Sequence, residues 1–346
     1  MSIKDRYFLA ANGFSGFRCH FATLLNSPEI KKLYIIKGGS GVGKSTLMRK
    51  VSAHFSGAGL SVEEILCSSD PSSLDGVLIR TDNGIVLLID GTAPHEYDMK
   101  YPAARDHIID LSRHLNEKEL YAEREKIEKL IKEKKKYYDL AYKYLHLAGN
   151  SYKILKEAML PYAKKDEISS LLGRLFNGAK NRVAVPKFRL YSSFSKSGLT
   201  TLDSGYEGYS FAYCFDVSFK SQILFSLLSS ELCASGFDVT LFPSAFSDDI
   251  IDGFSVNNDV IFKTSDCAPT YSADCYFENV ANEDTALLSG AERIYKNALE
   301  SAAEALKLAF KNHITLEKIY GSAMNFEKNE LVTKELIQKI VQDIQN

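Results

Sequence analysis

The sequence predicts an α/β protein: a three-layer sandwich with a mostly parallel sheet, built twice in one chain, each copy carrying a helical hairpin. Three observations predict it. Short apolar runs alternate with longer helical patterns, a glycine-rich segment joins one such run to a helix, and the first half of the chain echoes in the second. With 346 residues, 45% of them apolar and 25% charged, the chain has ample material for two cores of ordinary domain size.

The run Leu33-Tyr34-Ile35-Ile36 has the composition of a buried parallel strand. Residues 38–45 follow as GGSGVGKS and match the pattern G-x-x-x-x-G-K-[ST], with Gly38, Gly43, Lys44 and Ser45 at its fixed positions. Leu47, Val51 and Phe55 then recur every four residues beside Met48, giving one apolar face of a helix expected to end at Gly57 and Gly59. The order strand, glycine loop, helix has a physical purpose. Glycines let the backbone curl so that successive N–H groups point inward at a phosphate, and the helix N-terminus adds partial positive charge. Gly38, Gly39, Ser40, Gly41, Val42, Gly43, Lys44, Ser45 and Thr46 are therefore the expected phosphate-binding residues of a P-loop NTPase fold. The ligand would be ATP, or GTP, with Mg²⁺. Lys44 would contact the β and γ phosphates, and the Ser45 hydroxyl would ligate the metal.

Further strands are expected over residues 62–67 and 84–90, the latter reading Gly-Ile-Val-Leu-Leu-Ile-Asp. An apolar strand ending in an aspartate is the Walker B arrangement, so Asp90 is the second expected magnesium ligand. Asp70, Lys44, Asp90 and His95 are the expected catalytic residues. Asp70 follows the second strand and would serve as base or γ-phosphate sensor, or else shape an Asp-Pro turn with Pro71. His95 and Glu96 stand where they would orient water or a phosphoryl acceptor, although a solvated loop histidine is the plainer reading. No glutamate follows Asp90 directly, so no particular route of water activation is written into the sequence.

Shifting the sequence by about 176 residues brings two stretches into register. Lys44-Ser45 falls on Lys220-Ser221, Gly59-Leu60-Ser61-Val62 on Gly236-Phe237-Asp238-Val239, Asp75-Gly76 on Asp252-Gly253 and Ala93-Pro94 on Ala268-Pro269. The second loop, Cys214 to Ser221, contains no glycine and carries Asp216. Side chains there would block the tight curl and the carboxylate would repel an anion, so the second copy is expected to hold no nucleotide. Local charge agrees, because residues 199–290 contain only Lys220 and Lys263 against fourteen Asp and Glu.

The expected division is an active core over 1–103, a helical hairpin insertion over 104–180, a degenerate core over 181–283 and a C-terminal helical region over 284–346. In the insertion, Ile131, Tyr138 and Leu145 lie seven apart amid dense Glu and Lys, and the turn of the hairpin is expected near Gly149-Asn150. Tyr137, Tyr138, Tyr142 and Tyr144 beside Lys132 and Lys134 to Lys136 read either as a nucleic-acid surface or as a helix packing face with solvated charges. A net charge of −2 favours the second, and nucleic acid is not an expected partner. Cys19, Cys67, Cys214, Cys233, Cys267 and Cys275 form no CxxC pair and read as buried free thiols of a reducing compartment. No apolar stretch is long enough to span a bilayer and the first residues do not resemble a signal peptide, so a cytoplasmic protein is expected. A homo-oligomer and a protein partner docked on the helical hairpins are both compatible with the sequence.

Three segments together carry a family resemblance: Lys37-Gly38-Gly39-Ser40-Gly41-Val42-Gly43-Lys44-Ser45-Thr46-Leu47-Met48, then Cys67-Ser68-Ser69-Asp70-Pro71 with Leu74-Asp75-Gly76-Val77, then Asp90-Gly91-Thr92-Ala93-Pro94-His95. The chain resembles, over nearly its whole length, the poorly characterised tandem P-loop ATP-binding proteins of spore-forming Firmicutes. That resemblance implies ATP binding without naming a substrate. Relatives tend to keep a glycine-rich loop in both halves, and residues 214–221 depart from that. The leading expectation is an ATPase, a hydrolase acting on the phosphoanhydride. A nucleotide-gated switch or scaffold with little turnover and a small-molecule kinase are the alternatives.

Overall fold

The computed structural model describes residues 5–93, 96–176, 184–202, 208–264, 269–280 and 282–345. The first half contains β1 (Asp5–Phe8), β2 (Ala10–Gly13), β3 (Gly16–Cys19), α1 (Phe21–Leu25), β4 (Ile30–Lys37), α2 (Lys44–Gly57) and β5 (Ser61–Leu66). It continues through β6 (Leu74–Thr81), β7 (Gly84–Asp90), β8 (Asp106–Asp110), α3 (Glu117–Ala122), α4 (Arg124–Met159) and α5 (Lys165–Leu175). The second half begins with β9 (Lys187–Phe188), β10 (Ser192–Ser195), β11 (Gly198–Thr201), β12 (Phe211–Phe215) and α6 (Phe219–Ala234). β13 (Val239–Ser244), β14 (Ser247–Val256), β15 (Val260–Thr264), α7 (Asn282–Ser322) and α8 (Phe326–Gln345) complete it. The protein is of the α/β class, with mixed sheets.

Two compact units emerge, and neither is a continuous stretch of chain. The first holds Met1–Ala10, Cys19–Leu140 and Glu304–Asn346, and the second holds Ala11–Arg18 and Ala141–Ala303. In the first unit the sheet order is β1-β5-β6-β7-β4-β8. β1 runs parallel to β5, β6 is antiparallel to both β5 and β7, and β7, β4 and β8 are mutually parallel. Central β4 and β7 read as almost continuous apolar runs, Tyr34-Ile35-Ile36 and Ile85 to Ile89, because both their faces are covered. Leu47, Met48, Val51 and Phe55 form the buried face of α2, at the spacing a helix requires.

The second unit has a sheet of order β12-β15-β14-β13-β9. β12 is parallel to β15, β14 is antiparallel to β15 and β13, and β9 is parallel to β13. Read as β4, β7, β6, β5 and β1, the first sheet has the same order and the same directions. In both units a helix follows the first-named strand, α2 in one and α6 in the other. β8 has no equivalent among the described strands of the second sheet. The core of the second unit is rich in rings, with Phe254 and Phe262 stacked at 4.5 Å and Phe215 edge-on to Phe225 at 5.3 Å.

Several expectations are corrected. No turn forms at Gly149-Asn150, since α4 is one helix of 36 residues. Gly149 serves close packing instead: a Cβ there would lie 2.8 Å from Cβ of Phe14, whose ring stacks on Phe246 at 5.0 Å. The buried stripe of α4 is Ala141, Leu145, Ala148, Tyr152, Leu155 and Met159, whereas Ile131 is exposed. Residues 106–110, assigned to the helical insertion, form β8 beside β4, so the core does not end at residue 103. The C-terminal helical region is also not a separate body, because its residues from Glu304 onward belong to the first unit. Of the cysteines, Cys19 and Cys275 are exposed, all five described ones are free, and Cys267 lies outside the described residues. Among the described residues no helix is long and apolar enough to cross a membrane.

Gly149 and Gly290 make a matched test of this packing, since nothing lies within 4 Å of a Cβ built at Gly290. Gly290→Ala is expected to stabilise the protein by about 0.5–1 kcal/mol through helix propensity. Gly149→Ala is expected to destabilise it, because displacing Phe14 costs about 1–3 kcal/mol and outweighs that gain. Urea unfolding of the two variants checks both signs.

Candidate functional site

β4 and β7 are parallel neighbours with Ile36 opposite Asp90, so the glycine loop leaving β4 and the carboxylate ending β7 emerge side by side at one sheet edge. Within the loop Gly38, Gly41 and Gly43 have φ of 148°, 76° and 92°, a region that side chains disfavour. A Cβ at Gly38 would meet Val42 Cγ2 at 2.7 Å, which reinforces the demand for glycine. Val42 is the loop's buried anchor, and no side chain caps the first turn of α2, where the N-cap is Gly43. The N–H groups that open α2 are thus not satisfied by a capping side chain.

Lys44 Nζ donates to the carbonyls of Gly38 at 2.9 Å and Gly39 at 2.7 Å, and lies 3.6 Å from Asp90 Oδ2. Asp90 Oδ1 accepts from the backbone N–H of Thr92 at 2.9 Å and from its hydroxyl at 2.5 Å, leaving Oδ2 toward the lysine. Burial pushes the Asp90 carboxyl up, Lys44 and Thr92 oppose that, and nearby Asp75 adds to it. Ser45 Oγ accepts the N–H of Leu74 at 2.9 Å, which ties the start of α2 to β6 and still leaves the hydroxyl a free lone pair. Behind the loop, Lys37 Nζ bonds the carbonyls of Gly91 at 2.7 Å and Tyr97 at 2.5 Å, fixing the segment after Asp90.

The other expected residues fare differently. Ser40, Gly39 and Thr46 lie in the loop or on the first turn of α2, with Thr46 exposed. Asp70 is engaged in a turn, where Oδ1 accepts from the N–H of Ser72 at 3.3 Å and its hydroxyl at 2.8 Å, as the alternative reading of Asp-Pro anticipated. His95 lies outside the described residues, and Glu96 is exposed.

Helices distant in sequence also reach this loop. A Cβ at Gly41 would fall 2.4 Å from the backbone oxygen of Glu317 on α7, and one at Gly39 would touch the Tyr320 ring at 3.5 Å. Buried Asn329 on α8 donates from Nδ2 to the Val42 carbonyl at 2.7 Å, and its Oδ1 accepts from His114 Nδ1 at 3.0 Å. On α4, Tyr138 Oη lies 3.2 Å from Ser69 Oγ. Glu317, Tyr320 and Asn329 have no local sequence signal, because their contacts with the glycine loop span more than 270 residues of chain.

The corresponding segment of the second unit is built otherwise. Ser218, in extended conformation, caps α6 by accepting the N–H of Ser221 at 3.2 Å, and the Ser221 hydroxyl donates to the Asp216 carbonyl at 2.7 Å. Lys220 is paired with Asp274, and the Asp216 carboxylate accepts the N–H of Ala273 at 2.9 Å. The side chains of Asp216, Ser218, Lys220 and Ser221 are thus all engaged within this segment or with Ala273 and Asp274.

No protein-family model, no curated protein and no solved structure matches the chain.

Asp252 of the second unit, on β14, is half-buried and accepts from Gln222 Nε2 at 2.7 Å and Ser192 Oγ at 3.3 Å. Burial pushes its carboxyl up from 3.8 to about 6 while those hydrogen bonds resist. The folded state then keeps a proton that the unfolded chain releases. The Asp252 contribution to stability, on the order of 3 kcal/mol, is fully present below about pH 4 and is lost as pH rises through about 6. Asp252→Asn is expected to flatten that decline in urea unfolding measured from pH 4 to 7. An undiminished decline would assign it to other groups.

Proposed function

We propose that the first unit is a P-loop nucleotide-binding domain that binds ATP or GTP with Mg²⁺ and hydrolyses it, and that the second unit is a duplicated copy that has lost its nucleotide site. One observation carries the reading. Three glycines at positive φ lead into a helix whose first turn has no side-chain cap, with Lys44 and Asp90 3.6 Å apart at the loop's mouth. The shared strand order of the two sheets supports duplication. The Ser218 cap and the Lys220–Asp274 pair support loss of the second site.

The residues present fit a magnesium nucleotide. The loop holds Gly38, Gly41 and Gly43 at positive φ, where a Cβ at Gly38 or Gly41 would strike Val42 or the Glu317 backbone, and the nearby donors are the hard oxygens of Ser45 and Asp90. Those two side chains would hold Mg²⁺, which when bound supplies charge neutralisation for the phosphates. The loop amides from Gly41 to Lys44 would take the β-phosphate, on which the α2 N-terminus also bears. Lys44 would leave the carbonyls of Gly38 and Gly39 for the β and γ phosphates. Asp90 is half-buried beside it and would hold its charge once a cation sits there, reversing the effect of desolvation. Asp70, held in its turn, is not assigned a chemical step.

A second reading, a nucleotide-gated switch with slow turnover, is favoured by the backbone of α7 abutting Gly41. A loop that adjusts to phosphates would press directly on that helix. A protein partner would then be recruited through the helices, and a cytoplasmic setting supplies the nucleotide in either case.

Titration calorimetry of the full chain with Mg-ATP is expected to give one site, weakened about 100-fold in Lys44→Ala. Phosphate release should be lost in the same variant. Tight binding without release would select the switch. Two sites per chain would contradict the proposed loss in the second unit, and binding unaffected by Lys44→Ala would contradict the site itself.

A further inference from the structure

Residues 132–136 of α4 read Lys-Glu-Lys-Lys-Lys, and these lysines are not equivalent. Lys132, Lys135 and Lys136 are exposed, whereas Lys134 is half-buried. One turn further on, Tyr138 lies on the same helix face and touches Ser69, in the loop that follows β5. Lys134 is therefore on the face turned to the sheet edge that carries the glycine loop. The two charges that act on it most are Glu317, which attracts it, and Lys44, which repels it. Burial holds the Lys134 ammonium below the usual lysine range, and Lys44 adds to that effect against Glu317.

Glu317 occupies a telling position. Its backbone oxygen abuts Gly41, and its carboxylate lies 3.4 Å from His313 Nε2, while His313 Nδ1 is 3.4 Å from Ser40 Oγ. One carboxylate, attached to the loop through its own backbone and through His313, thus balances a second ammonium within electrostatic range of the first. Two ammonium groups within electrostatic range of one another beside the glycine loop suit a ligand of high negative charge, and a triphosphate carries more of it than a diphosphate.

We propose that Lys134 is a second phosphate-binding cation, supplied from α4 within the same chain, which exchanges Glu317 for the terminal phosphate and so distinguishes a nucleoside triphosphate from a diphosphate. This rests on the nucleotide reading of the glycine loop and adds to it a selectivity for the charge state of the ligand. The other lysines of the run take no part.

Equilibrium binding of Mg-ATP and Mg-ADP to the full chain tests it, with Lys134→Ala, Lys134→Arg, Lys135→Ala and Lys44→Ala compared with the unaltered protein. Lys134→Ala is expected to weaken ATP binding by about 10- to 100-fold while ADP binding changes by less than about threefold. Lys134→Arg should restore most of the ATP affinity, and Lys135→Ala should leave both affinities unchanged. A purely structural role would lower both affinities together, so an unchanged ATP-to-ADP ratio in Lys134→Ala, with Lys44-dependent binding intact, overturns this inference alone. Failure of the unaltered protein to bind either nucleotide overturns the reading of the loop, and this inference with it. Should Lys134→Ala prove unfolded by circular dichroism, Lys134→Gln keeps the stem and removes only the charge, with the same two outcomes.

Discussion

The parallel pairing of β4 with β7 is the constraint from which the rest follows. Register places Ile36 opposite Asp90, so the chain must leave one strand and finish the other at the same edge. Because both strands are covered on both faces, the pairing is fixed by burial of Tyr34 to Ile36 against Leu87 to Ile89, and not by the polar groups it exposes. The loop between β4 and α2 then has few residues in which to reverse direction. It does so through Gly38, Gly41 and Gly43, at backbone angles that other residues adopt only with strain. What the site contains is thus a consequence of how the core is packed.

The second unit has a sheet of the same strand order and directions but a different segment before its helix. The segment before α6 has a serine cap where the first unit has a glycine at φ 92°. The Ser218 cap takes up the N–H of Ser221, one of the donors of the α6 N-terminus, which in our reading leaves less there for an anion. On our reading the copy persists as a scaffold. It also receives the hairpin residues Ala11–Arg18 from the start of the chain, as the first unit receives Glu304–Asn346 from its end.

Much of this was legible in the sequence, and the misses have physical causes. The glycine pattern, the apolar face of α2 and the aspartate closing β7 are local signals with a local mechanism, and the structure brings all three together. β8 was not legible, since Ile108-Ile109 between Asp106 and Asp110 is too short to show a period. A glycine within a charged helix reads as a turn unless its neighbour is known, and that neighbour, Phe14, lies far back in the sequence. The roles of Glu317, Asn329 and Lys134 depend on helices brought to the loop from distant parts of the chain. One lysine among four in a basic run has no mark of its own, and only its partial burial separates it from the others.

The most direct test of the central claim is a crystal structure of the chain with a magnesium nucleotide. The account predicts the phosphates within hydrogen-bond distance of the amides of Gly41, Gly43 and Lys44. The Lys44 ammonium should be drawn off the Gly38 and Gly39 carbonyls onto them, and the cation should lie between Ser45 and Asp90. Lys44 still bonded to those carbonyls, with the nucleotide bound elsewhere or only through its base, would contradict it.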